Sequence, residues 1–167
     1  MLTYKKGDIL TTEANFIMIP VNVEGTLTDK IFEIYPQLYK QYISICKLYA
    51  KLTSSYNDAP LTLLGNILPY TTKDNKHILL CFCNAQDKFF DWAFENCNAK
   101  ITGLLRTANI NLIAGRNNEL VSSPVVNFVY PASKDCWDYY YRSFFSPKHY
   151  FNFEDTSTDI ALEVWND

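Results

Sequence analysis

The chain has 167 residues, 48% of them hydrophobic and 20% charged, a balance that excludes disorder over most of its length and fits one domain spanning 1–167. A net charge of −3 shows no basic excess, so the sequence does not indicate binding of duplex nucleic acid through its phosphates. Five glycines are present and no two are neighbours, which excludes the clustered-glycine phosphate loops of the Walker and Gly-x-Gly-x-x-Gly types.

The first residues alternate weakly and turn at Lys6-Gly7-Asp8. They hold no signal-peptide core, and no apolar stretch approaches the roughly 20 residues that span a bilayer, so no membrane association and a cytoplasmic location are expected. Residues 16–23 form an apolar run of strand length, and Pro20 inside it points to a strand end or an irregular edge. Between 28 and 50 apolar residues recur at helical spacing, and Pro36 divides that stretch and opens a second helix. A polar loop over 53–60 leads to a strand at 61–70, interrupted at Gly65-Asn66, then to a polar turn and a strand at 77–83.

Cys81 and Cys83 fall on one face of that strand and read as buried thiols. Cys46, Cys97 and Cys136 are scattered and His77 and His149 lie far apart, so neither a metal site nor a cofactor is expected. Residues 87–108 trace the clearest helical stripe. After an apolar segment at 110–114 come a polar loop around Gly115-Arg116-Asn117-Asn118, a strand at 125–130, a short helix at 135–145 and a last strand at 149–153. The tail, 156–167, fits helix or strand. Strands alternating with helices predict an α/β domain of three layers, a mixed sheet flanked by helices. Ligands of such sheets sit beyond the carboxyl ends of strands, and three of those ends turn polar, at 22–28, 84–87 and 131–135.

The order and spacing of these segments resemble the macro domain family. Lys6-Gly7-Asp8-Ile9-Leu10, the apolar run closing on Asn22, and Gly25 resemble its opening. Pro36, Tyr39 and Cys46 resemble its first helix, and Leu64-Gly65-Asn66-Ile67 and the strand from His77 resemble its next two strands. The flavour is that of the small stand-alone branch of ADP-ribose-1″-phosphate phosphatases and DNA ADP-ribosyl glycohydrolase antitoxins. The resemblance implies an ADP-ribose-like nucleotide as ligand. It implies that Asp8 accepts a hydrogen bond from the adenine amino group beside the Ile9 backbone, and that Asn22 meets the distal ribose and orients a catalytic water. A carboxylate and a side-chain amide have the acceptors and donors for those roles.

By the same resemblance a first loop with Gly25, Thr26 and Leu27, and a second with Ala132, Ser133 and Lys134, line the ligand, and Trp137 offers an aromatic face. Both loops depart from the family. Thr28 and Lys30 stand where it has glycines, and 131–137 contains none. Glycines there let backbone approach a ligand closely. Asp29 stands at the position of a catalytic lysine in some branches, so Asp29, Lys30 and Asp87 are the candidates to assist Asn22, Lys30 as an alternative cation. The reading is a nucleotide-binding module with weak or no catalysis. One alternative is a hydrolase that removes ADP-ribosyl groups or the phosphate of ADP-ribose-1″-phosphate. Another is an interaction module whose protein partner docks on the nine aromatic residues of 135–153. Tyr139, Tyr140 and Tyr141 cannot all face one core, so at least one is expected at the surface.

Overall fold

The computed structural model describes residues 1–52, 60–86, 88–117, 121–122, 127–128, 134–146 and 159–166. In chain order these form β1 (Leu2–Lys6), a 3-10 turn (Ile9–Thr11), β2 (Phe16–Asn22), α1 (Lys30–Ile34), α2 (Pro36–Leu52), a second 3-10 turn (Pro60–Leu63), β3 (Ile67–Thr71), β4 (His77–Ala85) and β5 (Lys88–Phe89). Next come α3 (Asp91–Thr107), β6 (Leu112–Arg116), β7 (Val121–Ser122), β8 (Asn127–Phe128), α4 (Lys134–Tyr140) running into a π-helical turn (Tyr141–Phe145), and β9 (Ala161–Asn166). Pro36 is the first residue of α2, where its missing N–H costs nothing.

Seven strands make one mixed sheet in the order β1-β9-β6-β2-β4-β3, with β5 paired to the end of β4. β1, β9, β6, β2 and β4 are mutually parallel, and β3 and β5 run against β4. The central strands are buried on both faces, as their unbroken apolar runs require. On one face Cys81 and Cys83 meet Cys97 of α3, and burial pushes the Cys81 and Cys83 thiols far up. On the other Phe82 stacks on Tyr42 of α2, ring centroids 6.1 Å apart. The result is the three-layer α/β arrangement.

Four details differ from the sequence reading. Pro20 lies inside a central strand, not at an edge; β2 pairs β6 at Ile17 and Met18, so the proline falls where β2 has already left that neighbour. The stretch 61–70 is a strand only from Ile67, because the 3-10 turn and Gly65, at φ 86°, bend the chain before it. Gly115 and Arg116 belong to β6 and are buried, not looped out. A Cβ at residue 115 would lie 2.9 Å from Met18 Cε and 3.2 Å from Trp137 Cη2, so the glycine here serves close packing. Within 125–130, Asn127 and Phe128 pair with Val121 and Ser122 in a separate two-stranded ladder. The strand expected at 149–153 lies outside the described residues. The ambiguous tail resolves as β9, which enters the sheet between β1 and β6. Among the described residues no helix is long and apolar enough to cross a membrane.

Candidate functional site

Five parallel strands present their carboxyl ends along one rim of the sheet, and Asp8, Asn22, Gln86, Arg116 and Asn166 mark where the chain ends or leaves them. Asp8 caps the 3-10 turn: its Oδ1 accepts from Leu10 N–H at 3.0 Å and meets Lys30 Nζ at 3.3 Å. The Leu10 N–H, with smaller help from Lys30 and Arg116, outweighs burial and holds the Asp8 carboxyl below its usual range. Ile9 beneath it is fully buried and anchors the turn.

Asn22 is fully buried and turned inward on its own loop. Its Oδ1 accepts from Gly25 N–H at 3.1 Å, from Thr26 N–H at 3.3 Å and from the Tyr42 hydroxyl. Its Nδ2 donates to Thr26 Oγ1 at 2.9 Å. Gly25 has φ 75°, and a Cβ there would stand 3.1 Å from Cys46 Cβ, so the turn needs glycine. Leu27 plugs the loop into the core. Glu24 Oε1 accepts from Gln86 N–H at 2.5 Å and ties this loop to the turn after β4.

Asp29 divides its carboxylate. Oδ1 accepts from Ile31 N–H at 2.9 Å and caps α1, while Oδ2 pairs with Arg116 Nη1. Arg116 has 1% of its side chain exposed, whereas Lys30 beside it has 46%. Thr28, Asp29, Lys30, Phe32, Glu33 and Tyr39 line a cavity of about 440 Å³. Among the described residues no His, Cys, Asp and Glu cluster could hold a metal ion.

The remaining expected residues fall elsewhere. Lys134 opens α4, with its Nζ 5.1 Å from the Tyr4 ring centroid and its carbonyl accepting from the Tyr4 hydroxyl at 3.3 Å. Trp137 is a correction: it is fully buried, edge-on to Phe94 at 5.6 Å, and its Nε1 donates to Asn117 Oδ1 at 3.0 Å. An indole that fills the core this way offers no face to a ligand. Ala132, Ser133 and Asp87 lie outside the described residues. Of the three consecutive tyrosines, Tyr139 is exposed and Tyr140 is buried, donating to Asp91 Oδ1 at 2.9 Å.

No family model matches the sequence, and no curated protein matches it. Solved structures do. The macrodomain of Thermus aquaticus DarG is similar at TM-score 0.65 and 12% identity, covering 100% of this chain and 99% of the other. The macrodomain of Mycobacterium tuberculosis DarG is similar at TM-score 0.65 and 15% identity, covering 100% and 98%. This chain has the macrodomain fold. Thermosipho africanus DarTG, solved in complex with ADP-ribose, is similar at TM-score 0.57 and 13% identity, covering 98% of this chain and 41% of that one.

Within this fold Asp8, Ile9, Asp29 and Lys30 come together, and Asn22, Gly25 and Thr26 form one hydrogen-bonded loop. Arg116, Tyr42 and Glu24 are the rim residues that the sequence reading missed. A charged residue closing the apolar run 112–115 was the available signal for Arg116. Tyr42 and Glu24 gave none, since their partners are set by tertiary packing.

Proposed function

We propose that the rim of this macrodomain binds ADP-ribose or a related ADP-ribose-containing nucleotide, with weak or no catalysis. The observation that carries the reading is Asp8: a half-buried carboxylate, held ionised by its own turn and placed beyond β1, ready to accept from an exocyclic amine. The fold shared with a protein solved with ADP-ribose supports the ligand class. The inward turn of Asn22 and the pairing of Asp29 with Arg116 support weak catalysis, because those groups hold protein rather than a water. Calorimetric titration with ADP-ribose tests the reading. Saturable binding is expected, and no heat at millimolar ligand would overturn it. Incubation with ADP-ribosylated protein, ADP-ribosylated DNA and ADP-ribose-1″-phosphate then distinguishes a binder from the alternative hydrolase. Rapid turnover of any of them would overturn the weak-catalysis half.

A further inference from the structure

Arg116 is a guanidinium almost wholly removed from water at the end of a central strand. Burying such a group carries a large desolvation cost, and a buried ion pair commonly contributes no more stability than an apolar pair of the same size. Its place under the rim therefore asks for a role. Four charges alternate there: Asp8 with Lys30 at 3.3 Å, and Asp29 with Arg116 in direct contact. The charge of Arg116 reaches as far as Asp8, where it helps keep that carboxyl ionised. The loop above carries Thr28 and Lys30 rather than glycines, so side chains stand where backbone could otherwise approach a ligand closely. Side-chain cations are therefore the available source of positive charge beside this loop.

We propose that Arg116 is the residue that selects anionic ligands in this macrodomain, supplying from the floor of the rim the positive charge that a nucleotide diphosphate needs, and that Asp29 sets the strength of that charge by neutralising part of it. This inference rests on the nucleotide-binding reading above. Asp29 is a positioning residue as well, since one of its oxygens holds the start of α1. Its two tasks separate in Asp29→Asn. Asparagine is as good a cap as aspartate, so α1 stays in place while the neutralising charge goes. Arg116→Gln removes the cation and keeps a polar side chain.

Calorimetric titration of the full chain with ADP-ribose, ADP and adenosine, at low and high salt, tests the proposal. Arg116→Gln is expected to weaken ADP-ribose and ADP on the order of tenfold, to leave adenosine unchanged and to flatten the salt dependence. Asp29→Asn is expected to tighten ADP-ribose and ADP and to steepen the salt dependence. Equal losses for adenosine and ADP-ribose in Arg116→Gln would show a purely structural role and overturn the proposal, as would no change at all. If Arg116→Gln does not fold, Asp29→Asn decides alone: unchanged or weaker binding of ADP-ribose overturns it. Failure of the unaltered protein to bind ADP-ribose would overturn the nucleotide reading and this inference with it. Binding by the unaltered protein with no charge-dependent response in the variants would overturn only the role of Arg116.

Discussion

Truncating Asn22 to alanine removes the acceptor around which the loop after β2 closes. Three donors converge on its Oδ1, from Gly25, Thr26 and Tyr42, and its Nδ2 donates to Thr26 Oγ1. The two backbone bonds are long, at 3.1 and 3.3 Å, and the Tyr42 hydroxyl keeps a second acceptor in the Asn22 carbonyl at 3.0 Å. At about 0.5–1.5 kcal/mol net per bond, and with donors left in a dry interior, the loss comes to about 2–4 kcal/mol. In a domain of this size that lowers Tm by roughly 5–15 °C. Asn22→Asp keeps the acceptor but gives up the Nδ2 bond and buries a carboxylate, so it should lose at least about 1 kcal/mol. Scanning calorimetry and urea unfolding measure both, with an unchanged urea slope confirming that the folded state itself has weakened. A cost within about 0.5 kcal/mol for Asn22→Ala would refute the reasoning, and would return Asn22 to the role of a group available to ligand or water.

Asp8→Ala should weaken ADP-ribose by about 1–3 kcal/mol through a lost charge-assisted hydrogen bond, read by calorimetry. The same variant gives up the cap on Leu10 N–H as well as a half-exposed ion pair with Lys30, so it should lose about 0.5–2 kcal/mol of stability. Glu163 accepts from Thr12 at 2.5 Å and Trp165 at 3.0 Å and pairs with Lys5 at 3.0 Å. Burial works to raise its carboxyl, but those three partners together hold it below its ordinary value of 4.5. A depressed folded value means stability that is present above 4.5 and lost as pH falls through the folded value. Urea midpoints taken across acid pH should therefore fall less steeply in Glu163→Gln, and an identical slope would count against the assignment. Thiol labelling of the native protein should modify the half-exposed Cys136 promptly. Cys81, Cys83, Cys97 and Cys46, the last with its thiol pushed up to about 12, should react only on unfolding, and fast labelling of two or more thiols per chain would contradict this.

The features legible in the sequence are those a short window determines. The Pro36 break, the apolar stripe of α3 and the paired thiols of β4 are all local patterns, and each stands in the structure as its spacing suggests. The cap at Asp8 and the turn at Gly25 are likewise local. The features that escape depend on distant partners. Residues 112–116 are too short and too punctuated by Gly115 and Arg116 to read as a central strand. The glycine is there because Met18 and Trp137 crowd it, and the arginine because Asp29, far away in sequence, meets it. Trp137 resembles a ligand platform in sequence because it stands in an aromatic-rich stretch next to the expected loop. Its burial is decided by Phe94 and Tyr140, which no local pattern reveals. Asn22 stands out in the sequence as the polar end of an apolar run, but nothing local shows that its bonds run back into its own loop.

β9, the last of the described strands, lies between β6 and β1, the first of them. During synthesis β1 has no partner in the sheet, among the described residues, until residues 161–166 follow it, because both its ladder and the outer ladder of β6 belong to them. Until then two strand edges stand open, each a template for a stray chain. Closing the gap joins residues as distant in sequence as Leu2 and Leu162, the kind of contact that slows folding. A truncation or a bulky fusion close to Asn166 should therefore act at a distance in sequence, loosening β1, and the 3-10 turn that carries Asp8 would be among the first parts to feel it.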